Sequence, residues 1–298
     1  MVLLAGYLVL FPPLFVLGPL AGLLVASRPA TFREWAWISA AGLWLGLSLY
    51  EPSGLALQAQ HAWALFVTAG FVVLMLAGRQ GIVAGALGAT LAGLGLVTLW
   101  ARVLGTGWQE IQIAAAHQGW EACRVLLLWG QTLAPDQIAA LREYVNTLAA
   151  MVGITSDLLP ALLVLRVLPG LALAWGWYHR LAAHPAGAPP ERFRDFRFSD
   201  QLVWAVVLCV AAFVLPTPEP VQSIVGNITV VLGGLYVARG IAITWSTIET
   251  FPAFVLLLVG LGALFILPVA LGGWFALGLA DTWVDFRRRF RPANLTRE

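Results

Sequence analysis

Charged residues punctuate this chain rarely and unevenly. No Asp, Glu or Arg occurs in 2–27, 52–78, 80–101, 201–218, 220–238 or 250–280. A helix crossing hydrocarbon needs about 20 mostly apolar residues. The pattern predicts eight spans, at about 2–26, 35–50, 61–78, 81–101, 155–178, 201–216, 222–246 and 252–280. Pro12, Pro13 and Pro19 should kink the first, which reads as a retained span because no basic residue precedes it. Trp35, Trp37 and Tyr50 suit the two interfaces of the second. Thr155, Ser156 and Asp157 are placed to cap the fifth, which Pro160 and Pro169 should bend. The last tract exceeds one bilayer thickness at about 1.5 Å per residue, so it must tilt, kink near Pro268 or project.

Residues 102–152 break this pattern. Ile138, Leu141, Val145, Leu148 and Val152 form one apolar stripe, with Arg142, Glu143 and Asn146 between them. Pro135 and Asp136 give that helix a start. Together with Trp108 to Gly130 it predicts amphipathic helices within 107–152, lying at the membrane surface or packed on the bundle. A polar loop follows at 182–200, and a basic tail at 286–298.

Composition sharpens the reading. Of 298 residues 60% are hydrophobic and 11% charged, too few charges to clothe a soluble globule. The mean hydropathy is +0.85. The fold class is therefore all-α, a single polytopic helical membrane domain with an amphipathic insert, multi-pass in the bacterial inner membrane. A net charge of +2, with every basic residue an Arg, argues against nucleic acid as a partner. Cys123 and Cys209 stand alone, as small apolar filler.

The basic residues conflict over orientation. Arg287, Arg288, Arg289 and Arg291 belong on the cytoplasmic side, as do Arg192, Arg194 and Arg197. Three predicted spans separate the clusters, so both cannot be satisfied. The denser tail cluster takes precedence, which places both termini inside.

No motif for catalysis, nucleotide or metal is present, and His61, His117, His179 and His184 are scattered. The chain is read as a non-enzyme without cofactor or metal. Buried ionisable groups are the stronger signal, because an Arg at a span centre costs about 2.5–3.5 kcal/mol. Arg166 lies well inside the fifth span and should face a cavity, a carboxylate or carbonyls. In the seventh, Thr229, Tyr236 and Arg239 share a face and Asn227 points away, to line a pocket or brace a neighbour. Arg166, Tyr236, Arg239, Thr229 and Asn227 are thus the candidate substrate contacts, with Trp175 and Trp177 nearby. Gly81, Gly85, Ala89 and Gly93 form a small-residue ladder suited to helix packing or docking. Gly18, Gly22 and Ala26 repeat that spacing in the first span, and Gly42 and Gly46 in the second. Asp281 and Asp285 form a second candidate docking point, Asp285 at ion-pair spacing from Arg288 and Arg289.

Three patterns carry a resemblance. They are Leu158-Leu159-Pro160-Ala161, then Gly226-Asn227 leading to Tyr236 and Gly240, then Gly278 followed by Asp281-Thr282-Trp283 and Asp285-Phe286-Arg287. In that order they resemble the YybS family of bacterial membrane proteins, best over 153–290. That family has no established activity, so no residue role is carried over. It is remotely related to the substrate-binding S components of energy-coupling-factor vitamin transporters. An S component usually has six spans, against eight plus an insert here. The resemblance implies a small-molecule binding or transport subunit that meets the lipid bilayer, other membrane subunits or a cytoplasmic ATPase module. The alternative is a non-transport scaffold subunit of a cell-envelope or other membrane complex.

Overall fold

A computed structural model describes Tyr7 and residues 12–50, 54–78, 81–130, 135–248 and 252–286. Among the described residues there are eleven α-helices and no strand. They are α1 (Leu14–Ala26), α2 (Phe32–Tyr50), α3 (Leu55–Leu76), α4 (Ile82–Val103), α5 (Trp108–Trp129), α6 (Pro135–Asp157), α7 (Leu159–Leu181), α8 (Leu202–Val214), α9 (Glu219–Ile248), α10 (Ala253–Phe265) and α11 (Leu267–Val284). Five of these, α3, α4, α7, α9 and α11, are long and apolar enough to cross a membrane, and α1 and α8 are shorter apolar helices. The helices group into two compact units divided between Pro190 and Glu191.

In the N-terminal unit α1 packs against α2, α3 and α7, and α4 against α3 and α7. The core is Phe15, Val16, Leu20 and Leu23 from α1, Trp63, Val67 and Phe71 from α3, and Val167, Leu171 and Trp175 from α7. The α4 ladder is used inside this bundle. Gly85 faces Met75, Ala89 lies against Gly70, and a Cβ on Gly93 would strike Val67 of α3. Gly18 and Gly22 likewise let α1 approach Thr68 and Val72. Only small residues allow such helix–helix distances, and in a bilayer van der Waals contact is what holds them. Gly42, Gly46 and Gly81 meet nothing within 4 Å among the described residues.

The start of α2 is latched to the end of α7. Glu34 is buried, and its carboxylate accepts from the Ala30 and Thr31 amides at 2.9 and 2.6 Å, from Thr31 Oγ1 at 2.7 Å and from the Ala183 amide at 2.9 Å. These donors, the Ala183 amide first, hold the carboxyl down to about 2. Beside it, Arg33 donates to the Arg180 carbonyl.

Helices α5 and α6 form an antiparallel hairpin sealed by Cys123, Val145 and Val152, with Leu141 and Leu148 of the predicted stripe packed on them. Its base rests on the bundle through Ile111, Ala59 and Ala101. Gly54, just before α3, lies beside Gln118, ten residues into α5. The hairpin thus extends past the end of α3. Its last turns, Val125 to Trp129, are exposed apolar side chains.

The predicted cap at 155–157 is corrected. Thr155 and Ser156 lie inside α6 and bond back to the Met151, Val152 and Gly153 carbonyls. Hydroxyls so engaged cannot cap a following helix. The break falls at Leu158, just ahead of Pro160 in the first turn of α7, which has no side-chain cap.

In the C-terminal unit α9 is the central helix, with α8 and α11 packed on it and a 3₁₀ turn at Phe193–Asp195 against its side. The last apolar tract breaks at Ile266, next to Pro268. Arg197 donates to Asp285 at the end of α11, so the polar loop and the end of α11 lie together. Arg288 and Arg289, the expected partners of Asp285, lie outside the described residues.

Candidate functional site

Helix α9 carries two charged residues in thirty, Glu219 and Arg239; Asp281 alone is charged in α11. An ionisable group in such a segment must find a partner. The backbone supplies the opportunity. A Cβ on Gly240 would overlap the Trp274 carbonyl, and one on Gly278 the Tyr236 carbonyl, so the two helices cross in backbone contact. The crossing is antiparallel, since Tyr236 meets Gly278 while Gly240 meets Trp274. Asp281 lies one turn beyond Gly278, and Arg239 immediately precedes Gly240. The crossing therefore delivers the guanidinium to the carboxylate.

Arg239 Nε donates to Asp281 Oδ2 at 2.9 Å, and Nη1 donates to Asp200 Oδ1 at 2.8 Å. The two carboxylates differ in access. The Arg239 and Asp281 side chains are 3% and 0% exposed, whereas Asp200 is 64% exposed. Asp281 Oδ1 also accepts from the Phe286 amide at 3.0 Å. Asp281 is thus fixed from both sides, while Asp200 reaches in from solvent ahead of α8.

An aromatic wall surrounds the pair. The Phe198 ring lies 5.3 Å from the Arg239 guanidinium carbon, within cation–π range. Phe198 packs edge-on against Tyr236, and Tyr236 against Phe275, with centroids 5.1 and 6.0 Å apart. Tyr236 Oη points to Thr282 Oγ1. Both oxygens are buried, and neither makes a well-formed hydrogen bond among the described residues. Arg197 and Asp285 flank the cluster as a further ion pair.

The other candidates lie elsewhere. Arg166 faces no carboxylate among the described residues. It is exposed on α7 and forms no ion pair among the described residues, and its carbonyl accepts from Tyr7 Oη at 2.6 Å. It stands seven residues into α7, and a helical side chain leans toward the N-terminus, which shortens its path to the polar end. Thr229 is exposed and bonds back to the Val225 carbonyl, and Asn227 donates to the Ser223 carbonyl of its own helix. Trp175 is buried in the N-terminal unit against Phe71, Tyr178 and His179, while Trp177 packs on Trp37. Of the predicted set, the structure brings together Tyr236, Arg239, Asp281 and Asp285.

Sequence reasoning missed Asp200, Arg197, Phe198 and Thr282. The available signal was the demand itself, since a buried arginine requires carboxylates and Asp200 is the charge immediately before the 201–218 tract. An open surface groove of about 700 Å³ runs along α6 of the N-terminal unit, lined by Arg142, Glu143 and Asn146. The described residues contain no group of three or more His, Cys, Asp or Glu arranged to hold a metal.

A family model described as "Predicted membrane protein (DUF2232)" matches residues 1–282. The chain belongs to this family of predicted membrane proteins. No curated protein and no solved structure matches it.

Proposed function

We propose that this family member is a small-molecule binding or transport subunit of the bacterial inner membrane, with its site in the C-terminal unit around Arg239. One observation carries the reading: a buried arginine in an apolar helix is shared between a buried carboxylate and a solvent-facing one. A purely structural pair would need only Asp281. The second, accessible partner leaves one guanidinium nitrogen open to exchange with an incoming anion. The resemblance to the YybS family, and through it to transporter S components, supports the same reading. The protein has no catalysis of its own, and an ATP-driven step would need a partner subunit.

The test is to purify the full chain in detergent, extract it, and identify retained anions by mass spectrometry. The comparison is the Arg239→Met/Asp281→Leu double variant, since apolar replacement of a buried pair is commonly tolerated. Wild type should carry an anionic small molecule that the folded double variant lacks. Equal retention, or none, would overturn the reading.

The scaffold alternative draws on one observation, the exposed apolar tip from Val125 to Trp129. Co-purification separates the two, because the scaffold predicts envelope-assembly proteins that are lost when Leu127 and Trp129 are replaced by Ser.

A further inference from the structure

We infer that Asp200 is an internal stand-in for the ligand, and that the ligand is a singly charged carboxylate with a flat apolar body. This rests on the binding reading above and names its substrate class. The argument begins with what can move. Arg239 Nε is committed to Asp281, which is itself held by the Phe286 amide. Nη1 is committed only to Asp200, a side chain 64% exposed on the segment leading into α8. An incoming carboxylate reproduces the contact that Asp200 makes, at the same nitrogen, while Asp200 swings into water at little cost. The exchange leaves the guanidinium paired throughout.

Charge sets the valence. An anion that takes the place of Asp200 on Arg239 lies beside Asp281, which stays bonded to the same guanidinium, so a dianion would add repulsion there. The wall sets the body. The Phe198 ring lies over the guanidinium, Tyr236 packs edge-on against Phe198, and Phe275 edge-on against Tyr236. Tyr236 Oη and Thr282 Oγ1 are buried beside each other without a well-formed hydrogen bond among the described residues, and a ligand oxygen offers them an acceptor. Binding also has a mechanical consequence. Asp200 and Phe198 tether the 196–201 segment to α9, so displacing Asp200 loosens that segment. Occupancy is thereby reported at the surface that a partner would meet.

The experiment uses full-length protein in nanodiscs, wild type and Asp200→Asn, titrated with sodium benzoate, inorganic phosphate and benzylamine. Intrinsic fluorescence gives the apparent Kd, and hydrogen exchange gives the mobility of 196–203. Asp200→Asn removes the competitor and should tighten benzoate about two- to fivefold, the range of a partly exposed ion pair expressed as competition. Benzoate should speed exchange in 196–203 of wild type, and the variant should exchange fast without it. Phosphate should bind more weakly than benzoate, and benzylamine not at all. Unchanged or weakened benzoate affinity in a variant of wild-type Arg239→Met sensitivity overturns the stand-in while leaving the binding site intact. Phosphate binding tighter than benzoate overturns the carboxylate class. Absence of anion binding in both proteins overturns the binding reading itself.

Discussion

Gly240 and Gly278 meet where α9 crosses α11, each pressed against the other helix's backbone. No side chain fits between them, and the contact fixes the register that brings Arg239 to Asp281. A bilayer offers no hydrophobic drive between helices, so this close approach is what the pairing of the two helices rests on.

Gly278→Ala should therefore destabilise the C-terminal unit by about 1–3 kcal/mol, the usual cost of overpacking, or more where backbone is struck. Thermal unfolding in detergent measures it. Gly272→Ala, at a position with nothing within 4 Å among the described residues, is the control and should be neutral.

The two carboxylates on Arg239 should not be equivalent. Asp281→Asn leaves a buried guanidinium without its fixed partner and should cost about 3–5 kcal/mol. Asp200→Asn removes an exposed partner and should cost about 1 kcal/mol or less. Denaturant unfolding of both variants would give the ratio, and equal losses would contradict the difference in burial.

Glu34 sets a pH dependence in the N-terminal unit. Its carboxyl falls from the ordinary 4.5 to about 2 in the folded chain. A depressed carboxyl stabilises fully above its unfolded value and loses that contribution as pH drops toward the folded one. Wild type should exceed Glu34→Gln in thermal midpoint at pH 6, and the two curves should converge between pH 4.5 and about 2. A difference that widened toward low pH would refute the latch.

The Arg197–Asp285 contact brings the polar loop to the end of α11. In a chain with Cys123→Ser and Cys209→Ala, new cysteines at Glu191 and at the exposed Trp283 should react with an impermeant maleimide from the same side of the membrane. Labelling from opposite sides would be incompatible with the ion pair.

Much of the fold was legible because apolar length is a blunt, reliable signal. The tracts predicted α4, α7 and α9 to within about four residues, and of the tilt, kink near Pro268 or projection that excess length allowed, the chain breaks at Ile266. The stripe of Leu141, Val145, Leu148 and Val152 marked the sealed face of α6. The site was legible only in part. Tyr236, Arg239 and Asp281 stood out as polar groups in oily surroundings. Asp200 did not, because 39 residues separate it from Arg239 and it lies in an ordinary polar loop. Arg166 drew attention by depth in the sequence, but helix geometry leaves it exposed. The Thr155–Asp157 run has the composition of a cap, yet its hydroxyls satisfy carbonyls behind them.

The Glu34 latch has a consequence during synthesis. The Ala183 amide that closes it is translated 149 residues after the carboxylate. At roughly 5–20 residues per second, that interval is about 7–30 s. Through it α2 has left the ribosome with its terminal acid still unsatisfied on that side. The first helices must therefore be held loosely, by the insertion machinery or by lipid, until α7 emerges to fasten them.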